Sequence, residues 1–196
     1  MKTLICSFFA LTCVLQAYGQ QIIPPKDIQL ELAVLAAPEE SRKGAMVYGY
    51  GADGVLTVLR QGENEMICIA DDPNKEGLNV ACYQKALEPF MARGRALKKE
   101  GKSFREIFDI REEEVKTGVL SMPDNGATLY VFSADESDVD WSTGKVEKGN
   151  FRYVVYIPYA TQETTGLPLK PEAPGMPWIM DPGTHRAHIM ITPPSQ

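Results

Sequence analysis

Ile28, Leu32 and Leu35 recur at helical spacing and Ala33, Ala36 and Ala37 favour the same state, which predicts a helix ending before Pro38. Residues 39–43 form a charged connector. From Ala45 the period shortens. Residues 46–50 and 55–60 flank Gly51-Ala52-Asp53-Gly54, whose Asp-Gly step marks a hairpin because glycine accepts the positive φ of the turn. A further strand over 65–70 follows Gly62, so residues 45–70 read as a three-stranded antiparallel meander.

Residues 71–79 are rich in Asp, Asn, Pro and Gly and read as a loop. Tyr83, Ala86, Leu87, Phe90, Met91, Gly94 and Leu97 then fall on one helical face, with Pro89 either kinking the helix or starting its second half. Ser103 and Glu106 have capping-box spacing before a second apolar stripe, Phe104, Ile107, Phe108 and Val115, that runs to Gly118. Strands are expected over 128–133 and 151–159, paired across an acidic connection, and over 187–192. Between them, residues 166–177 hold four prolines and two glycines and are expected to cross the surface without a ladder of their own. Strands, two helices and strands again predict an α+β fold, a mostly antiparallel sheet with helices packed on one side.

The first nineteen residues have a different texture. Lys2 precedes an apolar run from Leu4 to Leu15, too short to span a bilayer, and Ala17-Tyr18-Gly19 supplies the small-x-small pattern of a cleavage site. The segment reads as a secretory signal with cleavage before Gln20 or Gln21. Neither Cys6 nor Cys13 follows the small residue that a lipid-anchor signal requires. Removing nineteen residues from 196 leaves 177, the size of one domain over 20–196, secreted or periplasmic. Loss of Lys2 takes the net charge from −6 to −7, which disfavours nucleic acid and anionic membrane as partners, and no membrane span is expected. Cys68 and Cys82 then remain in an oxidising compartment, at a spacing that matches no metal or redox motif, and a structural disulfide is expected between a strand end and a helix start.

Candidate chemistry is sparse. His185 and His188, the two histidines, could join Asp181 around a divalent metal and activate water, but residues three apart on a strand face opposite ways. Asp138-Val139-Asp140-Trp141-Ser142 opens like a calcium loop and then fails, with Thr143 and Gly149 where glycine and glutamate are needed; Asp135 and Glu136 could serve a looser site, and an exposed acidic turn is the plainer reading. Arg93, Arg95, Lys98, Lys99, Lys102 and Arg105 could hold an anion or form a solvated helix face. Asp71-Asp72, or Glu63 with Glu65, could pair as acid and base, and no nucleophile elbow is present. Met176 and Trp178 on the proline-rich segment, beside Tyr153, Tyr156 and Tyr159, could wall a ligand groove, or Trp178 could cap the core. These features favour a non-catalytic binding module for a small molecule or peptide, with no cofactor. The alternatives are a metal-dependent hydrolase using His185, His188 and Asp181, and an extracytoplasmic structural or interaction protein, which would expose a broad apolar patch.

Overall fold

The computed structural model describes residues 23–194. The expected signal segment, with Lys2, Cys6 and Cys13, lies outside them. α1 (Lys26–Ala33) runs into a single 3-10 turn (Val34–Ala36) and stops before Pro38, while the charged connector makes a one-turn α2 (Glu39–Arg42). β1 (Met46–Tyr50) and β2 (Leu56–Arg60) form the expected hairpin. Gly54 takes φ 74° and Asp53 Oδ1 accepts the Val55 N–H at 3.0 Å.

β3 (Met66–Ile69) departs from the meander. It pairs with β1 instead of β2, and runs parallel to it. The chain reaches that side by crossing the start of β1, where a Cβ on Gly62 would stand 2.9 Å from the backbone nitrogen of Met46. Only glycine permits so close a crossing. Gly44 O secures it, accepting the N–H groups of Glu63 and Asn64 at 2.8 and 3.2 Å.

β4 (Leu78–Gln84) is the second departure, since the helix was expected to be under way by Tyr83. Leu78, Val80 and Cys82 are buried on one side of the sheet with Asn79 exposed on the other, an alternation that breaks at Cys82, where the next residue, Tyr83, is buried on the opposite face. The helix starts later, as α3 (Glu88–Lys99), with Pro89 in its first turn where a missing N–H costs nothing. α4 (Phe104–Lys116) has both bonds of the expected capping box: Glu106 Oε2 accepts the Ser103 N–H at 2.9 Å, and Ser103 Oγ accepts the Glu106 N–H at 3.3 Å.

β5 (Ala127–Ala134) and β8 (Asn150–Tyr156) pair antiparallel as expected, from Ala127↔Tyr156 to Ser133↔Asn150. The acidic connection between them folds into a small hairpin, β6 (Val139–Asp140) and β7 (Lys145–Val146). One turn of helix, α5 (Gln162–Thr165), precedes the strandless proline-rich segment. β9 (Trp178–Met180) and β10 (His188–Ile191) follow, and β10 lies between β8 and β9. The eight-stranded sheet has the order β2-β1-β3-β4-β5-β8-β10-β9, antiparallel except for β1 with β3. The fold is α+β.

α1 and its following turn press Ile28, Leu32, Ala33 and Ala36 onto Val47, Cys68, Val80, Cys82 and Phe132. On the opposite face Leu87 and Phe90 meet Ile67, Tyr83, Leu129, Val154 and Tyr156. α3 and α4 share that second side, held together where the Arg93 guanidinium meets Glu114 at 2.6 Å. Cys68 and Cys82 are bonded as direct cross-strand partners of β3 and β4, with Cα atoms 4.0 Å apart. The bridge therefore joins two strands, because Cys82 belongs to β4 and not to a helix start, and it closes the hairpin that carries the 71–77 loop.

Candidate functional site

The 71–77 loop forms one wall of a cleft of about 270 Å3. Pro24 and Pro25 form another wall, Leu32 and Ala70 contribute apolar surface, and Trp141 and Glu136 close it from the β5–β8 connection. The register of the sheet assembles it: β4 begins opposite the end of β5, Leu78 against Ala134, so the loop before one strand meets the segment after the other.

Each wall is fixed by side chains with few alternatives. Gln29, 5% exposed, donates to Pro24 O at 2.8 Å and Tyr50 O at 3.0 Å, and accepts the Tyr50 N–H at 2.7 Å. That buried amide clamps the Pro24-Pro25 lead-in to β1. Gly49 makes room for it, since a Cβ there would stand 2.6 Å from Gln29 Oε1. Across the cleft, Glu136 Oε1 accepts the Trp141 indole N–H at 2.7 Å and Glu136 Oε2 accepts the Gly77 N–H at 3.0 Å. Gly77 has φ 76° and approaches Ala134 O so closely that a Cβ would stand 2.8 Å away.

Asp71 Oδ1 accepts the Asn79 N–H at 2.8 Å. Its carboxyl is pushed up to about 6, chiefly by burial, with the nearby charges of Asp72 and Glu136 adding to the effect against the Asn79 bond. The Tyr50 hydroxyl is pushed up to about 12 by burial and by Asp72 and Asp71. Burial pushes Asp72 up too, but bonds from Asn74 and the Lys98 ammonium at 3.3 Å hold it below its ordinary value. Asp71 and Asp72 thus differ: among the described residues Asp72 has a cation, Lys98, and Asp71 has none.

Of the residues picked out for a metal, His185 and His188 are buried, His185 against α4, and Asp181 is partly exposed. His185 is fully buried; its backbone N–H and its Nδ1 meet Glu112 Oε2 at 2.8 and 2.5 Å. The carboxylate partner assigns the proton to Nδ1. His188 Nδ1 lies 2.7 Å from Arg186 O, and Asp181 Oδ2 lies 3.3 Å from Arg186 Nη1. Burial holds both imidazoles below the usual histidine value, and Glu112, pushed up by burial, is nonetheless drawn down to about 2 by Lys116 and His185. Among the described residues His185 Nε2 and Arg111 Nε are buried without a hydrogen-bond partner, and Asp181 Oδ2 has only its ion pair with Arg186. Among the described residues no three His, Cys, Asp or Glu side chains are grouped to hold one ion. The ring stacking of His185 against Phe90 and Phe108, and of His188 against Tyr156, is that of core residues.

No family model, curated protein or solved structure matches the chain.

The remaining candidates separate. Met176 and Trp178 line a groove of about 490 Å3 with the proline-rich segment and Pro193 and Pro194. The tyrosines do not join them. Tyr156 is buried on the α3–α4 side, Tyr153 faces the other side against Tyr130, and Tyr159, at φ 62°, lines a hollow beside Val115 and Met122. In the calcium-like stretch Asp140 is occupied by Ser142 Oγ at 2.6 Å and Thr143 Oγ1 at 2.7 Å, so the segment is an acidic turn. The basic run is largely matched by carboxylates, Arg95 with Glu88, Lys98 with Asp72, Lys102 with Glu106 and Arg105 with Asp109. Glu65 pairs with Lys85 at the surface. Of the exposed large apolar residues, Val55 and Val58 share the β2 arm of the first hairpin, and Phe104, Val119, Tyr159 and Leu169 lie on separate segments. No described helix is long and apolar enough to cross a membrane. Trp141, which sequence reasoning treated only as part of an acidic turn, is the cleft's aromatic wall; a lone tryptophan amid four acidic residues over 135–142 was no sign of it by itself, because Asp71, on the facing wall of the cleft, is seventy positions away.

Proposed function

We propose that the protein is an exported binding module, secreted or periplasmic, that holds a small molecule or peptide in the cleft beside Trp141. Support for export comes from the order basic residue, short apolar run, small-x-small within residues 1–19, together with a disulfide. The observation that carries the binding reading is the cleft's construction: prolines, a buried glutamine clamp and a hydrogen-bonded indole hold its walls in place without a ligand. Binding there orders few side chains, so more of the contact free energy is left as affinity. A concave, mostly apolar site with a few placed polar groups suits a small ligand.

The chain has two tryptophans, which makes the test direct. W178F leaves Trp141 as the reporter and W141F leaves Trp178. Fluorescence screening of both against small molecules and short peptides is expected to give saturable responses in W178F. Responses confined to W141F would transfer the function to the Met176–Trp178 groove, and silence in both proteins would refute the reading.

A further inference from the structure

The described residues form ten ion pairs, and neither Asp71 nor Glu136 takes part in any of them. Both line the cleft. The donors they meet are neutral: the amides of Asn79 and Gly77 and the indole of Trp141. Asp71 is half-buried with no cation at contact among the described residues, an unusual arrangement because burial penalises charge that is not matched, and Glu136 adds a second carboxylate at the exposed rim. Lys75, exposed at the rim, is the one basic residue lining the cleft among the described residues. Two negative charges against one positive leave the pocket one positive charge short of balance. Next to that deficit stands the Trp141 ring, and an indole face attracts cations through its quadrupole. The prolines, Leu32 and Ala70 supply apolar contact for the rest of a ligand.

Resting on the cleft as the binding site, we propose that its ligand is an organic monocation: an ammonium group, free or at the end of a peptide side chain, carried on an apolar body. The charge sits between Asp71, Glu136 and the face of Trp141, and the apolar body lies along Pro24, Pro25 and Leu32. At about 270 Å3 the cleft is slightly below the usual range for small-molecule sites, about 300–1,000 Å3, so the ligand is small or only one group of a larger one enters.

Three probes of nearly equal shape separate charge from fit: phenethylammonium, 2-phenylethanol and phenylacetate, each titrated into the W178F protein with Trp141 emission as the signal. The ammonium is expected to bind about tenfold or more tighter than the alcohol, and phenylacetate more weakly than either. D71N, which keeps the shape and the acceptor for Asn79, is expected to weaken the ammonium by about tenfold and leave the alcohol unchanged. K75Q is expected to move the ammonium the other way. Equal binding of all three probes, or an ammonium affinity indifferent to D71N and K75Q, would overturn the cation assignment while leaving the cleft as a binding site. No Trp141 response to any probe, in a protein whose thermal melt shows it folded, would overturn both.

Discussion

Asp71→Asn is expected to stabilise the protein. A carboxyl raised from its ordinary 3.8 to about 6 binds its proton more tightly in the folded chain than in the unfolded one. The folded state is therefore favoured below 3.8, where both states hold the proton, and loses that advantage as pH rises through about 6. Fully expressed, the shift corresponds to about 3 kcal/mol against the ionised folded form. Asp71 is only partly buried, so solvent screening reduces this, and we expect D71N to gain about 1–2 kcal/mol at about pH 8 and a few tenths at about pH 4. Asparagine keeps an oxygen for the Asn79 N–H, so no buried donor is orphaned. Urea denaturation at the two pH values, with m unchanged, measures it. A D71N protein less stable than the parent at about pH 8, or an advantage of the same size at both pH values, would refute the reasoning. A charge kept at a cost in stability is what a binding role requires, and D71N is the variant expected to lose ammonium affinity while gaining stability.

The two buried histidines act in the opposite direction. Burial lowers both, so the neutral imidazoles favour the folded state fully above 6.5, and that stability is lost as pH falls below 6.5 and the unfolded chain takes up protons first, by up to about 1.4 kcal/mol per pH unit for each. Measured in the D71N background, where the opposing carboxyl is absent, a flat stability between about pH 7 and about pH 5 would contradict this. Replacing Cys68 and Cys82 together by serine is expected to cost about 3 kcal/mol, the loop-closure value for residues fourteen apart, and reducing the native protein is expected to shift its urea midpoint in the same direction.

Local signals were legible in the sequence. Asp53-Gly54 turns its hairpin, Ser103 and Glu106 cap α4, Pro89 opens α3, and the two strands joined by the acidic connection pair with each other. What escaped depends on distant chain. β3 pairs with β1 because Gly62 can cross against Met46, a contact that no alternation of apolar residues reports. β4 was concealed because its alternation breaks at the adjacent buried pair Cys82 and Tyr83, and Tyr83, with Leu87 beyond the strand, continues smoothly into a helical pattern. Asp71-Asp72 was visible as a pair of carboxylates, but the distinction between them comes from Lys98, which reaches Asp72 alone. The histidines were visible as possible ligands, and Glu112, the residue that engages His185, lies 73 positions away on α4.

β10 follows β9 in the chain and yet lies inside it in the sheet. A nascent chain that has emerged as far as Met180 therefore has a strand with nothing to pair with, and β8 is still a raw edge of six joined strands. Only when residues 188–191 slot between β8 and β9 is that edge covered by a three-residue strand, whose Ile179 N–H is already given to Pro168 O. Until that moment the growing protein offers an open ladder to any other extended chain, and afterwards it offers almost none on that side.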